Sequence, residues 1–147
     1  RDFCLSRGLG DVYKRQPGGT PLYDKLARGE FIEQTEDEIV AGERLMIEKL
    51  EGIKSELVSD HMLNLLEEVR GKLPEMKGHI LSVIDSYLSL PEKERLYFRL
   101  GRRWGLYRGL DDLRDQARHA KVEALAARLE REGKLDGTMS SMRSMMI

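Results

Sequence analysis

The sequence predicts an all-α fold of four to five antiparallel amphipathic helices in a small bundle. Three observations predict it. Charged residues make up 35% of the chain while prolines number only 4, a mixture suited to thin, well-solvated helices. Apolar residues recur at three- and four-residue steps in successive segments. Helix-start and helix-stop residues frame those segments.

The 147 residues suit one domain with a real hydrophobic core. A formal net charge of −1 excludes a strong global attraction to nucleic acid or anionic lipid. A single cysteine, Cys4, excludes an intramolecular disulfide and fits a reducing compartment. No stretch approaches the ~20 apolar residues of a membrane span, and no charged-then-apolar signal opens the chain. The expected location is the cytoplasm, with no membrane partner.

Residues 1–19 are expected to be a disordered leader, residues 20–133 the helical domain, and residues 134–147 a flexible tail. The leader lacks apolar periodicity. Thr20 can cap and Pro21 suits a first helical position, so a short helix should run from Pro21 to Arg28 and stop at Gly29. Thr35-Glu36-Asp37-Glu38 reads as a capping box. The helix it opens carries Ile39, Met46, Leu50, Ile53 and Leu57 at helical spacing, so it is expected to continue past Leu57. From Glu30 to Glu51 it bears eight acids and two bases. A second long helix is expected after Ser59 or Asp60, with Leu63, Leu66, Val69 and Leu73 on its apolar face, ending at Pro74. A third should span Glu75 to Leu88, with Met76, Ile80, Val83, Ile84 and Tyr87 inward. A fourth should run from Pro91 to Arg108, with Leu96, Leu100, Trp104 and Tyr107 recurring. The last carries Leu113, Ala117, Ala120 and Ala124 on one stripe and Val122, Leu125 and Leu129 on another, closing at Gly133; residues 91–132 form either two helices or one bent helix.

Gly101, Gly105 and Gly109 stand four residues apart in the arginine-rich segment. On one helix they would form a strip without side chains. Each glycine costs a helix interior about 1 kcal/mol relative to alanine, so a close helix–helix contact is expected to recover it, with Trp104 beside it. That contact lies within the bundle or between copies. The same segment carries Lys93, Arg95, Arg99, Arg102, Arg103 and Arg108. Two readings follow. These cations pair with the acidic first long helix, their stems covering apolar surface, or Arg95, Arg99, Arg102, Arg103 and Arg108 contact nucleic-acid phosphates beside Tyr97, Trp104 and Tyr107.

Chemistry-bearing motifs are absent from the sequence. His61, His79 and His119 fall in three separate segments, none four residues from another histidine or from a cysteine, and no glutamate stands three residues before a histidine. There is no nucleotide loop and no GxSxG elbow. Cys4 lies in the leader, away from any Cys–His pair. No catalytic residue, metal, cofactor or small-molecule substrate is expected. The expected function is a non-enzymatic helical interaction or regulatory protein, partnered by another protein or by itself. The alternative is a nucleic-acid-associated protein using the Arg95–Arg108 face.

Three strings carry resemblances. RGLGDVYKRQ, ending at Gln16, resembles translated sequencing-adapter read-through, which implies an artefactual leader and leaves the true N-terminus open. LPEKERLYFRLG, from Leu90, resembles the start of the helix-turn-helix region of sigma factors. Gly105-Leu-Tyr-Arg-Gly109 follows where that family needs a recognition helix, so no residue role is carried over. YFRLGRRWGLYRGLDDL, from Tyr97, resembles the glycine-punctuated helix of small all-helical proteins of gut bacteria and their mobile elements, which implies a setting and no mechanism.

Overall fold

A computed structural model describes residues 21–30, 32, 34–59, 64–135, 137 and 138. The leader with Cys4 and Thr20, the segment from Asp60 through His61 and Met62 to Leu63, and the tail methionines Met139, Met142, Met145 and Met146 lie outside the described residues. The described chain is mostly helical, with five α-helices and one small two-stranded sheet.

Helix α1 (Pro21–Ala27) ends as its sequence dictates. Gly29 takes a φ of 71°, and the amides of Gly29 and Glu30 close on the carbonyls of Leu26 and Lys25. Helix α2 (Glu36–Lys49) opens on the capping box: the Glu38 amide donates to Thr35 Oγ1 at 3.2 Å, and the Thr35 amide donates to Glu38 Oε2 at 2.7 Å. Those bonds hold the Glu38 carboxyl below its ordinary range, the Thr35 backbone amide first.

The helix does not reach Leu57 as its periodicity suggests. It stops at Lys49, and Leu50 turns extended. Lys77 Nζ donates to the carbonyls of Glu48 and Leu50 at 2.7 and 2.8 Å, satisfying the orphan acceptors of the helix end from across the fold. Leu57 instead lies in strand β1 (Glu56–Leu57), antiparallel to β2 (Gly71–Lys72), with Glu56 opposite Lys72.

The expected second helix is likewise replaced. Residues 64–76 form turns and β2, although Leu65, Leu66, Val69 and Leu73 are buried. Their burial is reached without helical bonds because side chains take over the carbonyls. Ser59 donates to Leu66 O, and Arg102 donates to Asn64 O and Leu65 O. Helical spacing therefore marked buried residues correctly and the backbone wrongly.

Helix α3 (Lys77–Leu88) buries Ile80, Ile84 and Tyr87 as expected, with Met76 left exposed at its start. It runs antiparallel to α2, because Lys77 meets the end of α2 while Tyr87 meets Asp37 at its beginning. Helix α4 (Glu92–Arg103) buries Tyr97, Phe98, Leu100 and Gly101. A 3-10 turn (Leu110–Arg114) leads into α5 (Gln116–Arg131), which Asp115 caps at the amides of Ala117 and Arg118. Helices α4 and α5 are also antiparallel: Lys93 pairs with Glu123, while Tyr97 meets His119 one turn earlier on α5. Of the two stripes on α5, that of Val122, Leu125 and Leu129 faces the core, with Leu125 only partly buried and Ala126 fully buried beside it; Ala117, Ala120 and Ala124 are exposed. Leu135, at the start of the expected tail, packs against the core.

Residues 91–132 are thus two helices, because α4 ends before Arg108. Gly105 takes a φ of 67°, and the amides of Gly105 and Leu106 bond to Arg102 O and Gly101 O at 3.1 and 2.8 Å. This is the Schellman ending that favours glycine at its left-handed position. A Cβ at Gly105 meets nothing within 4 Å, so Gly105→Ala is expected to cost about 1–2 kcal/mol from backbone strain alone. Thermal unfolding checks this; a larger loss would mean a packed neighbour.

Candidate functional site

The site is built from the acidic start of α2 and the basic face of α4. Arg95, Arg99 and Arg103 recur every four residues and so share one face. That face meets Glu36 and Asp37, the first residues of α2, where carboxylates also suit the helix dipole. Arg95 Nε lies 2.9 Å from Asp37 Oδ2 and Arg99 Nη1 lies 2.6 Å from Asp37 Oδ1. Arg103 pairs with Glu36, whose other oxygen lies 3.8 Å from Arg99. The side chains of Arg103 and Glu36 are only 4% and 9% exposed.

Tyr87 completes the cluster from the end of α3, donating its hydroxyl to Asp37 Oδ1 at 2.5 Å. Arg95 also donates to the carbonyls of Leu88 and Leu90, so it closes the end of α3 as well. One carboxylate therefore joins α2, α3 and α4. Burial works against the Asp37 charge, but the hydrogen bonds from Tyr87, Arg99 and Arg95 outweigh it and hold the carboxyl below its ordinary range. Burial and the Asp37 carboxylate push the Tyr87 phenol upward. The pair is fixed as carboxylate and phenol, an arrangement that holds three helices in register and offers no group poised near neutral pH.

Arg102 faces the other way. Its guanidinium donates to Leu65 O, Asn64 O, Tyr107 O and Arg108 O, and to Glu67 Oε1 at 2.8 Å. It staples the irregular 64–67 segment to the chain beyond α4. Of the five sequence-predicted arginines, Arg95, Arg99, Arg102 and Arg103 are thus committed inside the fold, and Arg108 alone is exposed.

The three glycines do not share a helix face, since α4 ends between the first and the second. Gly101 is buried against the ring of Tyr107, which folds back beneath the helix after the Gly105 turn. The close approach that the glycine spacing suggested is made by an aromatic ring of the same chain, not by a helix backbone. Gly109 is extended and lies against the Glu68 carboxylate, whose Oε1 accepts from the Leu110 amide at 2.6 Å. Trp104 is the capping residue of α4 and is partly buried against the core.

Tyr107, expected as the last apolar residue of a longer fourth helix or as an aromatic beside phosphates, lies beyond the end of α4 and organises this end of the molecule. Its ring stacks on Phe98 at 6.2 Å, and its hydroxyl lies 3.2 Å from His119 Nδ1. Burial pushes its phenol up to about 12. Asp112 acts alongside Tyr107 at this end of the molecule. It accepts from the amides of Arg108 and Gly109 and from Arg118, and so shapes the turn that follows Gly105. Its place three residues after Gly109 was the available signal.

On α2, half-buried Glu43 stands apart from the cluster, and burial lifts its carboxyl from the ordinary 4.5 to about 7. Because the folded form holds the proton more tightly, stability falls as pH rises from about 4.5 to 7 and stays reduced above that range. Glu43→Gln is expected to stabilise the protein by roughly 1–2 kcal/mol at pH 8 and by little at pH 5. Thermal melts at both pH values check it; an equal change at both would refute the assignment.

Among the described residues, no group of three or more His, Cys, Asp or Glu side chains could hold a metal ion, and no helix is long and apolar enough to cross a membrane. The fold and site together define a small, mostly helical protein held by an internal arginine–carboxylate cluster. No family model, no curated protein and no solved structure matches the chain.

Proposed function

We propose that this chain is a non-enzymatic helical interaction or regulatory protein of the cytoplasm, working through helix packing with another protein or a second copy. The observation that carries the reading is the internal commitment of the α4 arginines to Glu36, Asp37 and backbone carbonyls. Spent in this way, they position helices and are withdrawn from phosphate contact. Apolar side chains remain outside: Ile32, Leu45 and Val58 are 86%, 54% and 47% exposed. Leu45 projects from α2, a rigid element able to present it to a partner.

Sedimentation equilibrium over a wide concentration range, with a salt titration against random duplex DNA, tests this reading. Self-association that Leu45→Glu abolishes supports it. Tight DNA binding whose salt dependence is steep, and whose slope Arg108→Ala lowers by about 1, overturns it in favour of a nucleic-acid-associated protein.

A further inference from the structure

The left-handed turn at Gly105 sends the chain back past the first two turns of α5. Between them lies a cleft of about 390 Å³ lined by Gly105, Leu106, Arg108, Arg118 and Lys121. Small-ligand sites are commonly about 300–1,000 Å³, so this one suits a compact molecule. Its cations come from two elements. Arg118 and Lys121 stand three residues apart on α5 and so share a face, while Arg108 comes from the returning chain.

The local charges decide what the cleft can take. Arg118 is held by Asp112 and by Asp115, the latter at 3.2 Å. Both acids are already engaged by backbone amides, Asp112 by Arg108 and Gly109, Asp115 by Ala117 and Arg118. Neither Arg108 nor Lys121 meets a carboxylate at ion-pair distance among the described residues. Three cations against two engaged acids leave an excess of one positive charge in a concave site. The open Arg108 fork, the Lys121 point charge and the Arg118 donor left over from its bonds to Asp112 and Asp115 match the oxygens of a phosphate group. Leu106 offers an apolar surface for an organic remainder.

We propose that this cleft binds a small phosphate monoester through Arg108, Arg118 and Lys121. A duplex backbone fits less well, since it needs a stripe of outward cations and the remaining arginines of this region face inward.

Calorimetric titration of the full chain with inorganic phosphate, AMP and adenosine tests the proposal, alongside a short random-sequence duplex. Phosphate and AMP are expected to saturate one site at millimolar concentration or below, and adenosine is expected not to bind. Arg108→Ala and Lys121→Ala should each weaken AMP roughly tenfold while leaving the ligand-free melting temperature unchanged, because neither side chain supports the fold. Lys54→Ala, exposed elsewhere, should change nothing. Absence of saturable phosphate binding overturns the proposal. So does equal weakening by Lys54→Ala, which would mark a general charge effect, or a duplex that binds more tightly than AMP.

Discussion

Glu36→Ala is expected to destabilise the protein by about 3–5 kcal/mol, the largest loss from any single polar substitution. The expectation rests on burial. Glu36 and Arg103 are almost completely enclosed, and removing the carboxylate withdraws the charge that faces a buried guanidinium. Natural domains hold only about 5–15 kcal/mol of stability, so the variant would sit near the unfolding threshold. Removing both charges with apolar replacements of similar volume, Glu36→Leu with Arg103→Met, should recover most of the loss, because the Coulomb attraction of a buried pair is largely offset by desolvation. Denaturant titration of the single and double variants checks this; a single-variant loss below about 1 kcal/mol would mean the pair behaves as a surface contact. Asp37 adds a pH dependence of the opposite sign to that of Glu43. Its lowered carboxyl contributes stability that is present above the ordinary carboxylate range and is lost as pH falls through its folded value. Asp37→Asn should therefore blunt acid unfolding.

Gly101→Ala is expected to destabilise by about 1–3 kcal/mol, although alanine is the better helix former by about 1 kcal/mol. The added methyl would overlap Cδ2, Cε2 and Cγ of the Tyr107 ring. That ring cannot simply move, since Phe98 stacks on it and its hydroxyl is tied to His119. The same substitution in a Tyr107→Ala background should become neutral or stabilising, because the obstruction is gone and only helix propensity remains. Thermal unfolding of the four proteins in this cycle gives the coupling. A Gly101→Ala variant that melts above the parent would remove Tyr107 as the reason for glycine at this position.

These two pairs also show what local pattern could and could not reveal. The capping box at Thr35, the inward face of α3 and the terminators Gly29 and Gly133 were legible because each depends on residues within one or two turns. The opposition of acidic and basic segments was legible as net charge, which suggested pairing without naming partners. Asp37 as the junction of Tyr87, Arg95 and Arg99 was not legible, because its partners lie 50 or more residues away in the chain. The stretch of residues 64–76 misled for a related reason. Its leucines and Val69 recur as a helix face would, but Arg102 and Ser59 supply the hydrogen bonds that a helix would otherwise have made for itself. Glycine spacing misled in the opposite sense: a regular interval suggested one strip, while Gly105 ends the helix and gives its two neighbours unrelated tasks.

By itself, the sequence determined that this chain is mostly helical, where α1 and α2 begin, and that its cations and acids are segregated on different helices. Helix propensity, capping and periodicity act over a few residues, so they survive without knowledge of the fold. Only the tertiary structure decided that α2 and α4 end early, that the Leu65–Leu73 stretch is not helical, and that four of five candidate arginines face inward. Those outcomes depend on charges and carbonyls brought together from distant positions, where the cost of burying an unpaired group outweighs local preference.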